Sequence, residues 1–350
     1  MQVGCVDGET EFLTPTGWKP ISKYNQGDLV CQYNTESNIA EFATPINYIK
    51  EPCEKLYYIK NEYGLSQKLS DDHNVLYLSR DKKSFNKIKM DELYIRHNKS
   101  VNGFAENLPC TYNMETNTQM NFSDDELRVQ VMFHADGTLI NQNHYKGQVS
   151  LRKSRKIDRC RSLLLNANIE FKEFRYDNGD VRFKFNPPIL SKRYSEVWYT
   201  CSNKQLDVIS KECVLWDGDQ KFRFTSKHKC DADFIQYAFN GTNKRTSINI
   251  DKREGQICYN VLISKSKTTR IISQSSGENI SIVDSSDGFK YCFTVPSTNL
   301  VLRHNDSIFV TGNCGVDEKA YGMFYAKNFP KKSIISCGVI LGNQPILIIK

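Results

Sequence analysis

No apolar run in this 350-residue sequence approaches the roughly 20 residues that a membrane-spanning helix needs. The start, Met1-Gln2-Val3-Gly4, has neither a charged segment nor an apolar core, so no signal peptide is expected. The twelve cysteines are scattered and form no C-x-x-C pair, which argues against a zinc site and against a secreted disulfide framework. A reducing, cytoplasmic compartment is the expectation. Strong charge is also missing: the net +7 is modest and only hints at an acidic partner. What remains is a composition of 39% hydrophobic and 25% charged residues, ordinary for a globular protein. The length favours two or three domains.

The order of patterns along the chain is more informative. Residues 5–80 read as short strands: a turn-rich hairpin from Phe12 to Trp18, then Leu29–Tyr33 and Leu56–Ile59. The span 87–121 is polar and reads as an irregular connector. From Asp124 to Asp136 the spacing turns helical, with Leu127, Val131 and Met132 on one face and Ser123/Glu126 as a capping box. A strand over 148–151, a basic helix over 154–166, a hairpin over 169–185 and a second helix near 204–216 follow. Strand-type residues return from Phe289 to Val310, with Asn305-Asp306 as a turn. The order β, α/β, β is that of one domain interrupted by another. Within the middle, Ala135-Asp136-Gly137 and Trp216-Asp217-Gly218 each close a helix and precede a strand, a basic patch and another helix. This is a weak internal repeat.

The chemistry sits near the ends. Cys5 can attack the Gly4 carbonyl and make a thioester, provided the fold strains or polarises that bond. Ser70-Asp71-Asp72-His73 offers the helpers: Ser70 to hold the scissile bond and His73 to protonate the leaving amine. Asn313 can cyclise through its side-chain amide and cut the chain after itself, and Cys314 can receive the acyl group.

With these blocks, and with the strand Tyr291–Val295 followed by Pro296, the chain resembles an intein. The resemblance implies autocatalytic splicing that needs no cofactor. It also implies a mostly β horseshoe splicing domain (the Hint fold) built from 5–105 and 275–313. Residues 1–4 and 314–350 would be host segments joined in cis, and the excised piece, 5 to 313 inclusive, holds 309 residues. Two departures stand out. Gly312 replaces the histidine usual before the terminal asparagine, and Cys292 stands where many inteins carry an acid. His304 and Arg303 are the nearby candidates to assist Asn313, with His304 the better acid–base group.

The middle, 120–265, resembles a LAGLIDADG (dodecapeptide) homing endonuclease, an α/β module of two similar halves. The resemblance implies paired helices bringing Asp136 and Asp217 together as metal ligands and catalytic carboxylates, with Mg²⁺ as cofactor. The implied partner is double-stranded DNA at a host allele lacking the insert. Arg152, Lys153, Arg155 and Lys156 open a run with six basic residues and one acid, and Lys227 and Lys229 hold the parallel place in the second half. A monomer without membrane contact is expected. Rival readings are a DNA-binding or regulatory module with a non-splicing β-domain, and self-cleavage without ligation as in hedgehog-type autoprocessing.

Overall fold

The computed structural model describes residues 4–312, leaving aside 62–63, 80, 82–83, 100–103, 105, 143, 217–222, 254 and 272–278. Asn313, Cys314 and Asp217 therefore lie outside the described residues, as does the flank 314–350.

Strands from opposite ends of the chain share two sheets. A six-stranded sheet runs in the order Ile280–Asp284, Lys55–Lys60, Ser66–Leu69, Val6–Asp7, Phe289–Thr294, Asn47–Pro52. The short strand Val6–Asp7 lies inside it: Val6 pairs with Leu69 on one side and Tyr291 on the other. In a second sheet, Asn299–His304 lies between Val30–Asn34 and Glu11–Thr14, and carries Ser307–Gly312 as its hairpin partner. Both strands of that hairpin are buried at all six positions, so their alternating and non-alternating apolar residues alike are covered. Asn305 and Asp306 both take positive φ, the geometry of a two-residue turn that matches strand twist.

The described residues of the polar connector expected over 87–121 include regular elements instead. It carries the strand Phe85–Lys89, helix α1 (Met90–Lys99) and two short strands. Its few apolar residues do the anchoring: Met90 and Leu93 are fully buried in the core of the six-stranded sheet.

Four helices build the middle: α2 (Asp124–Asp136), α3 (Ser154–Asn166), α4 (Asn203–Trp216) and α5 (Lys229–Asn240). The Ser123 side chain accepts from the Glu126 N–H, and Glu126 reaches back to the Ser123 N–H, so the capping box is complete. Buried residues run without a break from Val129 to Phe133, so α2 is covered all round rather than on one face. It packs against α3, α4 and the strand Gly147–Leu151.

The two halves repeat in topology. In the first, the strand before α3 (Gly147–Leu151) pairs with the second arm of the following hairpin, giving the order 147–151, 181–185, 171–175, with Gly137–Leu139 added beside 147–151. In the second, Arg223–Ser226 pairs with the second arm of its hairpin, giving 223–226, 256–263, 246–253. A helix, α3 or α5, separates the first strand from its hairpin in each. The architecture is thus a mostly β body interrupted by an α/β segment of two similar halves.

Candidate functional site

Cys5 is fully buried and packs against Cys292 and Ile49. Its backbone is held on both sides of the peptide unit by one residue. The Cys5 N–H donates to Ser70 Oγ at 2.8 Å, and the Ser70 N–H donates to the Cys5 carbonyl at 2.9 Å. Ser70 in turn gives its proton to Asp72 Oδ1 at 2.7 Å, so its oxygen is committed as an acceptor for the Cys5 amide. Gly4 is required here, because a Cβ would lie 2.6 Å from His73 Cα and 2.8 Å from the Asp72 carbonyl.

His73 is buried, and its Nε2 lies 2.7 Å from Thr311 Oγ1 on the last described strand. Thr311 can pass its own proton to the Asn74 carbonyl at 3.4 Å, which leaves its oxygen to accept Nε2–H. That tautomer is an assignment from the hydrogen-bond network, and it leaves Nδ1 with a lone pair and no hydrogen-bond partner among the described residues. Burial pulls the His73 pKa down to about 4, against the opposing pull of Cys292, Asp72 and the backbone of Gly4 and Cys5. Near neutrality the imidazole is uncharged and able to take a proton. Lys290 lies 3.8 Å from Asp72 Oδ1. Burial disfavours its charge, but Asp72 and Cys5 outweigh this and raise its pKa.

The hairpin register brings Thr311 and Gly312 to this cluster and takes His304 away from it. Gly312 pairs with Asn299, and His304 sits at the far end of the hairpin opposite Ser307. Five strand residues at about 3.3 Å each separate the two ends. His304 is therefore withdrawn as a helper for Asn313. Arg303 is withdrawn as well: its guanidinium is buried, paired with both oxygens of Glu11 (2.6 and 2.9 Å) and with Asp233 at 2.5 Å, and lies over the Trp18 ring.

Strands from the two ends of the chain meet around a buried Cys5, whose amide is held by the serine and faced by the histidine of one short loop.

No family model matches the chain. Among curated proteins it is 21% identical to ribonucleoside-diphosphate reductase subunit beta of Aquifex aeolicus (strain VF5), over 89% of this chain and 50% of that protein. The chain thus spans about half the length of the curated relative it matches. Among solved structures it is similar to a splice-inactive variant of the AceL NrdHF class 3 split intein, at 10% identity and a TM-score of 0.34. That match covers 89% of this chain and 99% of that one. The Mvu transcription factor IIB mini-intein matches at 9% identity and a TM-score of 0.33, over 89% and 100%. The homing endonuclease I-DmoI in complex with DNA and Ca matches at 13% identity and a TM-score of 0.32, over 42% of this chain and 85% of that one.

In the middle segment of the chain, Asp136 ends α2 beside a glycine that tolerates no side chain, since a Cβ on Gly137 would lie 2.3 Å from the Phe133 ring. Its carboxylate is held by Lys156 at 2.5 Å. One carboxylate paired to a lysine does not by itself make a magnesium site, and its expected partner Asp217 lies outside the described residues.

The basic residues divide. Arg152, Lys153 and Lys227 are exposed, Arg152 pairing at the surface with Asp180. Arg155 donates to the Leu215 carbonyl, and Lys156 is tied to Asp136, so both link α3 to the ends of α4 and α2. Lys229 is ion-paired with Asp233 and Asp306, which turns it toward the hairpin of the β body rather than toward a ligand. Sequence reading missed a second basic surface. The strand Val181–Phe185 buries Val181, Phe183 and Phe185 and turns Arg182 and Lys184 to the other face, alongside Lys172 and Phe174 of the paired strand. Lys184 lies over Phe174 and Arg182 over Tyr176. The strict alternation over 181–185 carried this signal.

Proposed function

We propose that this chain is an intein precursor that excises residues 5–313. The observation that carries the reading is the Cys5 site: one buried thiol, its amide clamped by Ser70, and a neutral His73 against the same peptide bond. His73 takes the Cys5 proton, and the sulfur attacks the Gly4 carbonyl. The C–S bond forms, the C–N bond breaks, and the imidazolium returns the proton to the leaving amine. The Cys314 thiol then displaces Cys5 from the acyl carbon. Asn313 closes through its side-chain nitrogen to a succinimide and releases the downstream amine, which takes the acyl group from the Cys314 sulfur.

The division into 5–105 and 275–313 for splicing, 120–265 for the insert, and 1–4 and 314–350 for host segments belongs to this proposal. The host is not read from the curated relative. The flanks hold 41 residues, too few to carry a match over 89% of the chain.

The insert is proposed to bind double-stranded DNA through the sheet face carrying Lys172, Arg182 and Lys184, with Arg152, Lys153 and Lys227 on phosphates. Basic side chains interleaved with exposed aromatics suit that contact. Cleavage, a divalent ion between Asp136 and Asp217, a monomeric state and a cytoplasmic setting complete the proposal.

Mass spectrometry of the expressed chain tests the splicing reading. A free 309-residue fragment together with ligated flanks is expected. Cys5→Ala abolishes thiol-induced cleavage at Gly4, and His73→Gln slows it by about 10²–10⁴-fold. Identical products from all three chains would refute splicing. Cleavage without ligation would favour autoprocessing instead.

A further inference from the structure

A second cluster lies two residues beyond Cys5. One ligand atom each from Asp7, Glu9 and His304 lie within 4.8 Å of one another. Asp7 ends the strand that follows Cys5, Glu9 sits in the next turn, and His304 ends the strand Asn299–His304.

His304 is 1% exposed. Its Nδ1 is bonded to Ser66 Oγ at 2.7 Å, while its Nε2 is buried with no hydrogen-bond partner among the described residues. Ser66 can pass its own proton to the Tyr58 hydroxyl at 3.3 Å, so it accepts Nδ1–H and leaves Nε2 with a lone pair. A histidine fixed in that tautomer by its other nitrogen is the usual form of a metal-ligating imidazole. The Asp7 carboxylate is equally fixed. It accepts from the Glu9 N–H at 2.9 Å, the Ser286 hydroxyl at 2.8 Å and the Ser286 N–H at 2.9 Å. Glu9 is exposed and gives the cluster an opening to solvent.

We propose that Asp7, Glu9 and His304 form a binding site for a divalent transition-metal cation. Two carboxylates and one imidazole suit a comparatively hard first-row ion such as Mn²⁺, whereas the free thiols elsewhere in the chain favour softer metals. Lys68 stands guard over the site, 3.2 Å from Glu9 and 3.9 Å from Asp7. Its ammonium occupies the place a cation would take and must swing out along its flexible stem when the ion enters. An occupied site would join the strand next to Cys5 directly to the C-terminal hairpin. The proposal depends on no splicing step, and all three ligands lie within 5–313.

The test is Mn²⁺ binding by the full chain, followed by electron paramagnetic resonance, with nitrogen modulation reporting imidazole ligation. The parent is expected to bind one Mn²⁺ with a single-imidazole signature. Glu9→Gln, at an exposed position, should weaken that binding at least tenfold without changing the metal-free melting temperature. Lys68→Met should tighten it, His304→Gln should remove the nitrogen signal, and Asp136→Asn should leave that signal intact. Equal Mn²⁺ affinity in Glu9→Gln and parent, or no nitrogen modulation in the parent, overturns the site.

Discussion

At the scale of single residues, Gly312 explains its own departure from the intein pattern. A Cβ there would lie 2.7 Å from the Asn74 carbonyl and 3.0 Å from its Cβ, so the last strand approaches the His73 loop too closely for any side chain. The space a histidine would need is filled. Lys87 lies beside the same point, its Cε 3.3 Å away and its Nζ bonded to Thr298. Desolvation lowers its pKa, although the residue as a whole is exposed. It lies beside Gly312, as His304 at the far end of the hairpin does not, and nothing in its sequence neighbourhood distinguished it. Restoring the usual residue should therefore fail. Gly312→His is expected to lower the melting temperature and to leave release of the downstream segment no faster than in the parent. Thermal unfolding and a gel time course measure both, and faster release with normal stability would show that the pocket admits an imidazole.

At the scale of elements, Arg303 is the joint between the strand Asn299–His304 and α5. Its fork binds Glu11 of a neighbouring strand, its other nitrogen binds Asp233 of the helix, and Lys229 of the same helix reaches Asp306 in the turn. Arg303→Met would keep the stem packed on Trp18 but strand two partly buried carboxylates. Because Glu11 and Asp233 keep some access to water, the cost should fall near or below the low end for breaking a buried pair, roughly 2–3 kcal/mol. Urea unfolding of parent and variant measures it, and an unchanged midpoint would mean the pair is only a surface contact. This joint also marks where sequence reading ran out. Strands, helices and the capping box follow local rules of period and chemistry, so α3 over 154–166 and α2 over 124–136 were legible. Cys5, Ser70 and His73 were legible as a motif. The pairing of Arg303 with a carboxylate 70 positions earlier in the chain, the helix hidden in the polar span after Lys87, and the approach of Thr311 to His73 depend on tertiary packing. Local pattern carries no signal for those.

At the scale of the molecule, the insert is not a bead on a string. One apolar cluster runs from Leu13, Tyr33, Val301 and Val310 of the β body through Tyr112 and Tyr237 to Phe133 and Phe183 of the insert. A common core couples the stability of the two parts, and buried histidines in both parts give it a pH dependence. Burial lowers the pKa of His73 to about 4, of His134 to about 3 and of His304 to about 4, against a normal value of 6.5. In each case the unfolded chain binds a proton over a range where the folded chain does not. Stability is therefore full above about pH 6.5 and falls as the pH drops toward 4, because protons pull the equilibrium toward the unfolded state. Each tenfold weakening of proton binding in the folded chain is worth on the order of 1.4 kcal/mol, so the three histidines together should cost several kcal/mol. Denaturant unfolding of the Cys5→Ala chain between pH 7 and pH 4.5 should show the midpoint falling throughout. His134, in edge-on contact with Tyr194 and Trp198 and outside the Cys5 cluster, isolates the effect. His134→Phe should flatten the acid side of the profile and leave Gly4–Cys5 cleavage unchanged. An equally steep profile in that variant would assign the acid sensitivity to other groups.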